Sequence, residues 1–239
     1  MDFEIIDSHT HWGPSITLGT NISTRELLSQ KEETGIQRVV IIPFPSTAIM
    51  SNEINLRVLN ECTRIPAFIP YFYIREDFPV IPEEYAGGKW HWMRGWQDSA
   101  SNYKVLDDRE LPDFITRLAA TGKPIIFEEE LSFTERFVDM APGIKLIIPH
   151  LGLLGGNPLD FLKSFKGREN VYFDTALAAK STILEFVRSV GPERLLFGSD
   201  IPFSSMKNEL PKILTLPIPD EEKQLILSKN IIRLTKLGG

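Results

Sequence analysis

Short apolar runs, too brief for helices and closed by proline or a polar residue, recur along this chain with amphipathic segments between them. That alternation constrains the fold more than any other feature. Val39–Ile42 is a β-branched run stopped by Pro43, and Pro124–Phe127, Lys145–Ile148, Val171–Phe173 and Arg194–Phe197 have the same form. Phe3–Ile6 opens the series, Ala67–Ile74 continues it despite Pro70, and a further strand is expected around Lys89–Met93. Runs that are apolar throughout belong to strands buried on both faces. Strands alternating with helices imply a parallel sheet covered on both sides.

The segments between the runs read as helices. Ser23-Thr24-Arg25-Glu26 is a capping box opening a helix that Gly35 closes, and Ser132-Phe133-Thr134-Glu135 predicts a second such start. Helices are also expected over Asn52–Thr63, Glu110–Ala120, Leu159–Phe165 and Thr182–Val190, with one or two more at the end; Asp77 to Asp108 is irregular. Eight strand units in 239 residues fit a (β/α)8 TIM barrel better than a doubly wound sheet. Without a low-complexity linker or a repeat, residues 1–239 read as a single α/β domain.

Composition narrows the function. Lys+Arg 26 against Asp+Glu 32 gives a formal charge of −6, which argues against nucleic acid or an anionic membrane as partner. Cys62 is the single cysteine, so an intrachain disulfide framework and a multi-cysteine metal site are excluded. The start Met1-Asp2-Phe3-Glu4 lacks the basic residues of a signal peptide, and a reduced, cytoplasmic protein is expected.

Active sites of such barrels lie where strands end. The first strand ends with His9 and His11, and residues i and i+2 on a strand share a face, so both imidazoles can converge on one ion such as zinc. Read otherwise, they are two histidines of a surface turn. Glu128-Glu129-Glu130 follows Pro124–Phe127 directly. One of these carboxylates must point into the barrel mouth, where an unpaired charge is costly and a metal would remove the cost. His150 and Asp200 end the sixth and last strands; each has a structural alternative, a hydrogen-bonding histidine and a helix N-cap or salt-bridge partner.

Taken together, Asp7-Ser8-His9-Thr10-His11, Pro149-His150-Leu151-Gly152 and Leu196-Phe197-Gly198-Ser199-Asp200-Ile201-Pro202 resemble the amidohydrolase superfamily. The likeness is to the branch of aminocarboxymuconate-semialdehyde decarboxylase and dicarboxylate lactone hydrolases. It implies that His9, His11 and Asp200 bind a catalytic metal and that His150 contacts substrate or transfers protons; a shell with two carboxylates would leave bound water less acidic, which makes Asp200 the expected proton acceptor. Where the branch usually has a metal-binding histidine this chain has Glu128. The favoured shell is His9, His11, Glu128 and Asp200 around one divalent ion, zinc first, then manganese or iron; Glu128 bridging two metals, or a metal lost with the substitution, are the alternatives, and Glu129 replaces Glu128 if the register slips by one.

Lys89-Trp90-His91-Trp92-Met93-Arg94-Gly95-Trp96 looks like a divergent substrate segment of that branch. Lys89, His91, Trp92 and Arg94 are expected to bind a small carboxylate substrate; packing of the tryptophans in a lid or a homodimer interface is the alternative. The resemblance thus implies a metal-dependent hydrolase of a small amide, ester or lactone. A non-oxidative decarboxylase, or a barrel that only binds a ligand, stand as alternatives.

Overall fold

The computed structural model describes residues 4–91 and 100–237. Among them run nine strands: β1 (Ile6–Ser15), β2 (Thr20–Ile22), β3 (Arg38–Pro43), β4 (Phe68–Tyr73), β5 (Gly87–His91), β6 (Ile125–Glu128), β7 (Leu146–Ile148), β8 (Val171–Asp174) and β9 (Leu195–Leu196). All but β2 pair in parallel, in the order β1-β3-β4-β5-β6-β7-β8-β9. The circle closes between β1 and the segment after β9. Ser8 N donates to Phe197 O at 2.8 Å, Asp200 N to His9 O at 2.7 Å and His11 N to Ile201 O at 3.0 Å. This is a TIM barrel.

Side-chain alternation builds two cores from these short strands. Ile6, Val40, Ile42, Ile69, Tyr71, Ile126, Ile147 and Leu196 form one buried cluster, which by strand parity fills the barrel, and Ile231 and Leu234 join it. Their strand neighbours Val39, Ile41, Phe68, Phe72, Ile125, Phe127, Leu146, Ile148 and Leu195 pack outward with residues of the surrounding helices. Both faces being apolar is why the strands lack a polar–apolar alternation in sequence.

Several boundaries differ from expectation. The first strand carries both histidines, as their spacing predicts, but it starts at Ile6, runs on past them to Ser15 and turns back into β2, which the sequence reading lacks. Its pairing with β3 shifts register between Asp7 and Thr10, a bulge that re-aims the chain at the histidine pair. Ser23 caps the helix Thr24–Thr34 by accepting from Glu26 N, and Gly35 closes it in left-handed conformation (φ 73°). Ser132, by contrast, caps nothing. The helix begins at Leu131, where Leu131 N donates to Gly155 O at 3.1 Å and Glu130 N to Ser101 Oγ at 3.0 Å, so two of the amides at its start are satisfied from neighbouring loops.

The C-terminal helices Asp220–Gln224 and Asn230–Thr235 flank a π-helical stretch, Leu225–Lys229. Ile226 O there accepts from Phe197 N at 2.9 Å, and the Asn230 side chain donates to Pro192 O (2.8 Å) and Leu195 O (2.7 Å). These bonds hold the end of β9 just ahead of Asp200. Among the described residues no helix is long and apolar enough to cross a membrane.

Candidate active site

Strand parity decides which side chains reach the mouth. Ile126 faces the barrel interior, so Glu128 two residues on faces it too and Glu129 does not. Glu129 instead accepts from Trp90 Nε1 at 2.8 Å and from Ser101 Oγ. Between the two carboxylates, Glu128 is thus the one at the site. The pairing Lys89↔Ile126 and His91↔Glu128 puts Lys89 and His91 on that interior face of β5. Trp90 points the opposite way, into a ring cluster with Phe78, Phe114, Phe127, Phe133 and Phe137. It is a core residue and not part of an aromatic substrate pocket. Trp92 and Arg94 lie outside the described residues.

The first and last motifs meet. Asp200 is buried, and its Oδ1 lies 3.5 Å from His9 Nε2 and 3.2 Å from His11 Nε2, while Oδ2 lies 3.1 Å from His150 Nε2. His9, His150 and Asp200 offer donor atoms all within 4.8 Å of one another. The sequence-based shell placed Glu128 there and His150 outside it. The geometry brings His150 into the cluster, and Glu128 accepts from Lys89 Nζ, with His91 Nδ1 at 3.4 Å. That buried pair supplies the compensation for the Glu128 charge that a metal was expected to give.

Two residues of the cluster rest on strained backbone. His150 (φ 53°) and Asp200 (φ 54°) both adopt the left-handed region, as does Leu151 (φ 55°), and such positions cost about 1–3 kcal/mol each unless the surroundings fix them. Asp7 fixes one side: its Oδ1 accepts from His9 N (3.1 Å) and Ser199 N (3.0 Å), tying β1 to the segment that carries Asp200. Asp174, at the end of β8, fixes the other. Its Oδ2 lies 2.9 Å from His9 Nδ1, and its Oδ1 accepts from His150 N and Ala176 N, both at 3.0 Å. Neither aspartate was singled out from sequence. Asp174 carries the same signal as Glu128, a carboxylate directly after an apolar strand.

Burial would raise Asp200, but the imidazoles of His9, His11 and His150 hold its carboxyl well below the usual carboxylate range. Burial also raises Glu128, and His91, Lys89 and His150 outweigh it and bring the group down. Burial lowers His11 and takes His91 down to about 3. Burial would lower His150 as well, but Asp200 and Glu128 beside it leave it raised. Asp7, buried with its Oδ2 unpartnered, is pushed up to about 7 by burial.

The donor set fits a divalent cation. His9 Nε2, His150 Nε2 and Asp200 Oδ1 are buried without hydrogen-bond partners. Their close approaches are not aligned as hydrogen bonds, and electron-rich atoms converging in this way are the arrangement a cation would satisfy.

The amidohydrolase family profile matches residues 77–237, more than half the chain. The chain belongs to the amidohydrolase family. A search of curated proteins finds no match. The amidohydrolase is similar in fold to 2,6-dihydroxybenzoate decarboxylase from Rhizobium (TM-score 0.81, 15% identity, covering 100% of both chains). It is also similar to dihydroxybenzoic acid decarboxylase from Polaromonas sp. JS666, solved with manganese and 2-nitroresorcinol bound (TM-score 0.79, 15% identity, 100% of this chain and 98% of that one). A Pseudomonas putida protein provisionally classed as 2-pyrone-4,6-dicarboxylic acid hydrolase shares the fold as well (TM-score 0.76, 14% identity, 100% of both). At these identities the likeness concerns the fold alone.

Proposed function

We propose that this amidohydrolase is a divalent-metal-dependent hydrolase of a small, carboxylate-bearing amide, ester or lactone. The observation that carries the reading is the buried Asp200 carboxylate, met by three imidazoles at 3.1–3.5 Å. His9, His150 and Asp200 would hold the cation, zinc by the preference of imidazole donors, with His11, which the resemblance placed in the shell, beside it. When bound, such an ion supplies Lewis acidity, which polarises a carbonyl and makes water a stronger acid.

The chain's own groups do the rest. Asp200 accepts the proton that the attacking water loses, and His11, its Nε2 3.2 Å away, carries it to the leaving group. Phe44, stacked on the His11 ring at 4.7 Å, and Phe203, edge-on at 5.8 Å, set the plane in which that imidazole works. Lys89 has three N–H donors and gives one to Glu128, leaving two for a substrate carboxylate. His91 stands beside it, and Trp92 and Arg94 follow it in sequence as further substrate contacts.

A second reading is supported by the fold shared with the Rhizobium and Polaromonas decarboxylases: non-oxidative loss of carbon dioxide from a small unsaturated or aromatic acid. Hydrolysis moves one proton in and one out, which suits the adjacent Asp200 and His11; decarboxylation needs one delivery. The test is a panel of lactones, esters, amides and aromatic acids offered to zinc- or manganese-loaded protein. Hydrolysis without carbon dioxide release is expected, and carbon dioxide release without hydrolysis replaces the first reading by the second.

A further inference from the structure

Asp174 touches the cluster at two points of different kind. Its Oδ1 accepts two backbone N–H groups, those of His150 and Ala176, both at 3.0 Å, and a carboxylate oxygen so engaged is an acceptor. The other oxygen lies 2.9 Å from His9 Nδ1. Asp174 and His9 are both fully buried, so solvent does not compete for either group. A neutral imidazole facing an acceptor at Nδ1 carries its proton there, and its Nε2 is then a lone pair. That Nε2 is the atom left without a hydrogen-bond partner, 3.5 Å from Asp200.

We propose that Asp174 is the positioning residue of this site: through its two oxygens it fixes the tautomer of His9, turning the Nε2 lone pair inward, and pins the left-handed backbone that presents His150. The tautomer stands on the hydrogen bonds alone. Its consequence for cation affinity rests on the metal-dependent reading above.

Asn at position 174 separates the two roles. Its single oxygen can serve the two amides or His9, but not both. Keeping the two amide bonds turns the NH2 group toward His9 Nδ1, which must then become the acceptor, so the proton moves to Nε2 and the lone pair leaves the cluster. Asp174→Asn thus preserves the His150 backbone and reverses the His9 tautomer.

The test is 15N-imidazole NMR of the full chain after chelation and dialysis, followed by calorimetric titration with zinc or manganese. Four histidines keep the spectrum assignable with His9→Gln as reference. Expected are an Nδ1–H tautomer for His9 in the natural protein, an Nε2–H tautomer in D174N, and cation affinity lowered about 10–100-fold in the variant. If the tautomers switch but the natural protein binds neither cation, the metal-dependent reading fails and the positioning role stands. An Nε2–H tautomer in the natural protein overturns the inference even if D174N does not fold. A folded D174N with unchanged tautomer and affinity overturns it as well.

Discussion

His150 and Asp200 reach one another at 3.1 Å from two left-handed backbone positions, which set the direction in which each side chain leaves the chain. Replacing Asp200 by Asn keeps its shape and removes its charge. Turnover is expected to fall about 10²–10⁴-fold with the fold retained, and unchanged steady-state rates would make the barrel a binding protein. Glu128 serves differently. Its removal leaves the fully buried Lys89 ammonium without its carboxylate, and Glu128→Ala is expected to lower stability by about 3–5 kcal/mol in urea unfolding. Cys62 gives a pH test away from the site. Burial, with Glu61 adding to it, pushes its thiol up to about 12 from 9.0, so at pH 8 the folded chain carries about a thousandfold less thiolate than the unfolded one. Alkylation is expected to stay slow until strongly alkaline pH and to become fast on denaturation; rapid labelling of folded protein at pH 8 would contradict the burial. At this scale the sequence named His9, His11, His150, Asp200 and Glu128 because each is ionisable and follows an apolar run. It did not reveal that Lys89 neutralises Glu128, since that pair joins adjacent strands 39 residues apart.

Elements were legible wherever local chemistry decides them. Gly35 and Gly122 close their helices in left-handed conformation at the positions read from sequence. The Ser132 box failed because the helix starts at Leu131, ahead of the box, where the amides of Glu130 and Leu131 find partners in other loops, a tertiary effect without local trace. The same loops suggest a sharp test. A Cβ on Gly155 would stand 2.2 Å from Glu129 O, a backbone atom that cannot turn aside. Gly155→Ala is expected to cost about 1–3 kcal/mol and to shift the loops that follow β6 and β7, read as a lower midpoint in chemical unfolding. A variant with the natural midpoint would mean these loops do not bear on one another.

Across the whole molecule, strand count and parallel order follow from the alternation of apolar runs and helices, whereas closure does not. It depends on backbone bonds between Ser8–His11 and Phe197–Ile201, nearly 190 residues apart. That seam also assembles the cluster, so cation binding at the proposed site is expected to raise stability. A ligand at 100 times its Kd adds about 2.7 kcal/mol, worth about 5–10 °C in Tm for a chain of this size. Melting of chelated and zinc-titrated protein should show that rise, scaling with zinc concentration, and a flat response would sever the link. The most direct measurement is anomalous diffraction at the zinc edge from a zinc-soaked crystal. One peak is expected about 2.0–2.2 Å from His9 Nε2 and from an Asp200 oxygen, with His150 completing the set. A peak seated on Glu128 and away from His9, or none at saturating zinc, would contradict the site.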